Sequence, residues 1–135
     1  MKGATAIAVG ASVVASVLVW TMAGCGGDNV GSESSDKEEI KDVFEAYKEA
    51  ARDGDAERLC EDILAPSQLG SESVEQCAQI DGQAFTTPRI THQLAAVELG
   101  HINIRRNYAR ASNATQGGYF EFRREKGRWG LILIR

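Results

Sequence analysis

Histidine is scarce in this chain, and the cysteines are few and widely spaced. Only His92 and His101 occur, nine positions apart, with no cysteine or acid at ligand spacing. A zinc-type centre needs three or four such donors together, so no metal site is expected. No Cys-x-x-Cys pair is present, which argues against a dithiol redox catalyst. The chain also lacks a glycine-rich phosphate loop, a Ser/His/Asp set and a helical carboxylate pair of metal spacing, so no cofactor is implied. Positive charge is not in excess. Fifteen Lys and Arg stand against nineteen Asp and Glu, a net charge of -4, which argues against general nucleic-acid binding.

The charge that is present is unevenly placed. Residues 28–81 carry sixteen acids and five bases, about -11, while residues 82–135 carry three acids and nine bases, about +6. Two solvated faces that attract each other within one fold account for this split. A basic sheet surface meeting anionic lipid or an acidic partner is the sharper reading.

Residues 4–23 form an uncharged run of Ala, Val, Ile, Leu, Gly, Ser and Thr with Trp20 and Met22, preceded by Lys2. That is the pattern of a secretory signal. It closes on Thr21-Met22-Ala23-Gly24-Cys25-Gly26-Gly27, which resembles the lipobox of bacterial lipoproteins. The resemblance implies cleavage before Cys25, acylation of that cysteine and attachment to membrane lipid at the extracytoplasmic face. Met22 stands where Leu is usual. The run of about 20 residues is also long enough for an uncleaved membrane span, and plain secretion is a third reading. On the lipoprotein reading, residues 1–24 are the signal peptide. Residues 25–36, rich in Gly, Ser, Asp and Glu, are the lipidated cysteine and a flexible tether. Residues 37–135 are one small domain, since about 100–150 residues support a single core.

Removing Cys25 from the count leaves Cys60 and Cys77, an even pair in a chain sent to an oxidising compartment, so a disulfide is expected. Both fall in a helical half. Ile40, Val43, Phe44, Tyr47 and Ala51 predict an amphipathic helix over Lys37–Arg52, stopped by Asp53-Gly54-Asp55. A second helix is predicted from Ala56 to about Leu64, broken by Pro66, with Asp55 as its cap. A third starts at Ser73, which pairs with Gln76 as a capping box, and ends near Asp81-Gly82.

From Leu94 the period changes to two. Val97, Leu99, Ile102 and Ile104 alternate with polar neighbours, with a shift at Gly100-His101 that predicts a bulge. Arg105-Arg106-Asn107, Gln116-Gly117-Gly118 and Lys126-Gly127 are turns. Strands are expected over Tyr108–Ala114, Tyr119–Arg124 and Trp129–Ile134, the last apolar on both faces as in a central strand. Helices first and then a meander of about four antiparallel strands make an α+β domain with helices packed on one face of a curved sheet.

Phe44, Tyr47, Ala50, Asp53-Gly54-Asp55, Leu59 and Pro66, with Tyr119-Phe120-Glu121-Phe122 and Gly127-Arg128-Trp129, resemble the nuclear transport factor 2-like superfamily over Lys37 to Arg135. The small lipidated members common in actinobacteria look especially similar. The resemblance implies a cone-shaped fold with an apolar pocket between the first helices and the concave sheet face, with Phe44, Tyr47, Phe85, His101 and Trp129 as candidate lining residues. In the ketosteroid isomerase branch a first-helix Tyr, matched by Tyr47, donates to a developing oxyanion. The base of that branch has no match. The corresponding segment is Gln68-Leu69-Gly70-Ser71-Glu72-Ser73, and no acid lies between Gly100 and Ala114. A tyrosine without a base cannot move a carbon-bound proton, so no catalytic residue is assigned. The expected activity is binding of an apolar ligand or an envelope protein, with self-pairing through the outer sheet face implied by the resemblance. The alternatives are a polyketide cyclase-like or isomerase-like enzyme using Tyr47, and an uncleaved accessory domain similar to Mce-associated membrane proteins.

Overall fold

A computed structural model describes residues 30–133. The expected signal peptide, the lipobox-like stretch and Cys25 lie outside the described residues.

Helix α1 is Val30–Asp53 and begins ahead of the predicted Lys37. Two contacts extend it through residues expected to be tether. Lys37 pairs with Glu33 one turn earlier at 2.7 Å, and the Asp36 carboxylate accepts from the Arg124 guanidinium at 3.1 Å. Its apolar stripe is as expected, with Ile40, Phe44, Tyr47, Ala50 and Ala51 buried. Helix α2, Ala56–Arg58, follows Gly54, and the Asp55 side chain accepts from the Arg58 backbone N–H at 3.0 Å. It runs on as a π-helical turn, Leu59–Ile63, which buries Leu59, Cys60 and Ile63.

The Ser73 capping box forms as expected, with reciprocal bonds to Gln76 of 3.2 and 3.0 Å. It opens α3, Val74–Cys77, continued by a π-helical turn, Ala78–Gly82, and by α4, Gln83–Phe85. Gly82 therefore does not end the helix. A Cβ there would stand 2.7 Å from that of Ala56, so glycine lets two helices touch. Cys60 and Cys77 are bridged across this contact, their Cα atoms 6.0 Å apart.

Helix α5, Pro88–Ala95, falls where no element is expected. Thr87 caps it, and Pro88 occupies the first turn, where a missing N–H costs nothing. The Thr91 hydroxyl donates to the Ala51 carbonyl at 2.8 Å and ties α5 to α1.

Four strands follow: β1 Leu99–Arg105, β2 Tyr108–Asn113, β3 Tyr119–Glu125 and β4 Arg128–Ile132. They form an antiparallel sheet in the order β1-β2-β3-β4, with the expected irregularity between Leu99 and Ile102. The registers Ile102↔Ala111, Ala109↔Phe122 and Phe122↔Leu131 put these residues on one face, all buried toward the helices. The opposite face carries Tyr108, Arg110, Glu121 and Arg123.

The central position read for the last strand is corrected: β4 ends the order. Its outer edge is covered instead by Leu64–Ala65, where Leu64 bridges Leu131 in parallel and the Ala65 N–H donates to the Leu131 carbonyl at 2.9 Å. This crossing needs Gly130, because a Cβ there would lie 2.5 Å from the Ala65 Cα. Apolar residues on both faces of β4 reflect this cover, not a neighbouring strand.

Candidate functional site

Helices α1 and α5 do not close fully over the ends of the sheet where β2 stops, β3 starts and β4 stops. They leave a cavity of about 300 Å³. Tyr47 of α1, Phe85 of α4, and Ile90 and Leu94 of α5 form its helical side. Phe120, Ile132 and Leu133 form its sheet side. Gln93, Asn113 and Gln116 stand on its polar parts. An apolar wall with a few amide groups is the usual composition of a small-molecule site, and this volume is at the small end of the range.

Tyr47 is the most informative member. Its side chain is buried. Loss of hydration pushes the phenol up to about 12. At neutral pH it is therefore a protonated donor on the helical side of the cavity. Asn113 is partly committed: its side-chain oxygen accepts from the N–H groups of Thr115 and Gln116, both at 3.0 Å, which shapes the turn and leaves its amide nitrogen as a donor.

Glu121 is the acid at the cavity edge, and its carboxylate is engaged elsewhere. The Tyr108 hydroxyl donates to it, and the Arg110 guanidinium donates to the same oxygen at 2.9 Å. The Tyr108 bond, followed by Arg110, holds this carboxyl below its ordinary range. Arg110 also lies 3.8 Å over the ring of Tyr119, which it fixes as part of the wall. The site can thus hold an apolar body and donate a hydrogen bond to an acceptor atom carried on it. A free carboxylate base beside Tyr47 is not found among the described residues.

Of the five candidate lining residues, Tyr47 and Phe85 are on the wall. Phe44 lies behind it, its ring centroid 4.7 Å from that of Phe120. Trp129 is buried elsewhere, beside the early turns of α1, where its backbone N–H donates to Glu39 at 3.0 Å. His101 is exposed on β1, because the irregularity before Ile102 turns it out of the helix-facing row. Sequence reasoning missed Ile90, Gln93 and Leu94. Their signal was the Thr87-Pro88 helix start followed by apolar positions at Ile90 and Leu94.

Among the described residues no group of three His, Cys, Asp or Glu could hold a metal ion, and no helix is long and apolar enough to cross a membrane. Compared with known proteins, the chain matches no family model, no curated protein and no solved structure.

Proposed function

We propose that this protein is a lipoprotein anchored through acylated Cys25 at the extracytoplasmic face of the cell membrane, with a non-catalytic domain of the nuclear transport factor 2-like type that binds a small apolar ligand. The observation that carries the binding role is the cavity of about 300 Å³, mostly apolar, with Tyr47, Tyr119, a few amides and the engaged Glu121 carboxylate at its edge. The ligand fitting it has a hydrocarbon body and one acceptor, which the Tyr47 hydroxyl or an Asn113 N–H would meet. Helices followed by a four-strand meander support the fold assignment. The lipobox-like Thr21–Gly27 supports the anchor.

An isomerase-like or cyclase-like reaction at Tyr47 is the second reading, favoured by the placement of that phenol on the wall. It lacks a base, since Glu121 is occupied by Tyr108 and Arg110. An accessory role with an uncleaved span would require a chain mass that includes Met1.

The test is titration of the purified protein with N-phenyl-1-naphthylamine, an apolar fluorophore. Saturable binding is expected. Ile90→Trp, which fills the cavity from a half-buried wall position, should weaken it about tenfold or more, the equivalent of 1.4 kcal/mol. Absence of saturable binding, or binding indifferent to Ile90→Trp, would reject the cavity as the site. Turnover of a substrate that disappears in Tyr47→Phe would instead favour the enzyme.

A further inference from the structure

The two turns that join β1 to β2 and β3 to β4 lie side by side, held by the Arg124 N–H donating to the Asn107 carbonyl at 2.8 Å. This end is rich in cations. Arg105 and Arg106 are exposed in one turn and form no ion pair among the described residues, and Lys126 is exposed in the other. Arg128 flanks them, its guanidinium donating to the backbone carbonyls of Glu61 and Asp62. Several acids nearby are engaged, while Glu61 and Asp62 beside Arg128 are exposed. Asp36 is bound by Arg124 at 3.1 Å, Glu33 by Lys37 at 2.7 Å, and Glu125 by Arg123 at 3.7 Å and by the Ser67 N–H at 2.8 Å.

Helix α1 starts at the same end. It runs antiparallel to β3, with Asp36 at Arg124 and Phe44 at Phe120. Going back from Asp36 to Val30 adds about 9 Å of helix. Going on from Arg124 to Lys126 adds about 7 Å of strand. The first turn of α1 is therefore level with the two basic turns. Cys25 is five positions before Val30, a reach of at most about 18 Å. The cavity is at the other end of the strands, by Asn113, Tyr119 and Ile132, about 20 Å away along β3.

We infer that the paired turns bearing Arg105, Arg106 and Lys126 contact the anionic phospholipid headgroups of the membrane that holds Cys25, and that this contact orients the cavity away from the bilayer. The inference rests on the lipid-anchor reading. The acyl chains give attachment, and the cations add orientation, because phosphodiester charges attract the basic turns. The ligand then enters from the aqueous envelope space and not from the hydrocarbon.

The test uses the full lipidated protein in vesicles of phosphatidylcholine, with and without phosphatidylglycerol. Spin labels are attached at Asn107→Cys, in a basic turn, and at Ala114→Cys, near the cavity. With phosphatidylglycerol, the label at 107 should meet membrane-dissolved oxygen more often than the label at 114, because the basic turns are drawn to the anionic surface. The difference should vanish in phosphatidylcholine alone and at ~0.5 M salt, where screening shortens charge interactions to a few ångström. Charge reversal by Arg106→Glu with Lys126→Glu, both at exposed turn positions, should abolish it as well. Equal access at both labels, or a difference that survives salt and charge reversal, overturns the inference. Intact mass of the same preparation reads the anchor separately. An acylated chain with equal label access rejects the orientation alone, and a chain lacking acyl mass rejects the anchor reading together with it.

Discussion

Tyr47 links burial, ionisation and the cavity in one side chain. Its phenol is pushed from 10.0 up to about 12 by desolvation. Below pH 10 both the folded and the unfolded chain keep the proton, and the tyrosine's contribution to stability is complete. Between 10 and about 12 the unfolded chain releases a proton that the folded chain retains, so unfolding is favoured increasingly. Urea midpoints should therefore fall across this window, and Tyr47→Phe should flatten much of the fall. Tyr108, also raised, first by burial and then by Glu121, adds to the fall. A fall unchanged by Tyr47→Phe would mean that the phenol is hydrated in the folded protein. The stripe of α1 made Phe44 and Tyr47 legible as inward residues. Which of them meets the cavity was not legible, because it depends on Phe120 of β3 packing against Phe44 of α1. Gly82 and Gly130 read as helix stop and strand residue for the same reason: the backbone that approaches each is distant in sequence.

The Cys60–Cys77 bridge makes the short helices behave as one element. It joins the π-helical turn after α2 to the end of α3, and both cysteines are buried. Its closed loop of 17 residues should add about 3 kcal/mol by restricting the unfolded chain. Urea unfolding of Cys60→Ser with Cys77→Ser should show a loss of that order, and the native protein should resist mild reductant until it is partly unfolded. Equal midpoints for wild type and the double variant would show that packing alone holds these helices. Caps and turns at this scale were legible, because Asp55, Ser73 with Gln76, and the three hairpin turns signal locally. Helix α5 was missed: Thr87-Pro88 marked its start, but eight residues offer little periodicity to support the signal. The early start of α1 was not legible either. It depends partly on Arg124, which lies 88 positions from Asp36.

Across the whole molecule, the fold lays an acidic helical half on a basic sheet half. Residues 28–81 carry about -11 and residues 82–135 about +6. Asp36 with Arg124 and Glu39 with the Trp129 N–H are contacts between the halves, while Arg110 with Glu121 is a pair within the sheet. Near pH 7 added salt screens the attraction between halves. Raising salt to ~0.5 M should lower stability by on the order of 1 kcal/mol, because most of these pairs are partly exposed. Acid changes the sign of this effect. Glu121, held low first by Tyr108, and Glu125, held low first by Ser67, have folded pKa values below the unfolded 4.5. Their contribution is present above 4.5 and is lost as pH falls through the folded values. Once the carboxylates are protonated, fifteen Lys and Arg with two His repel one another without counter-charge. At about pH 3 the same salt addition should therefore stabilise the fold by screening repulsion. Urea midpoints at low and high salt, measured at both pH values, check the reversal. A salt effect of one sign at both would mean that the charge split is a property of the sequence with no part in holding the halves together.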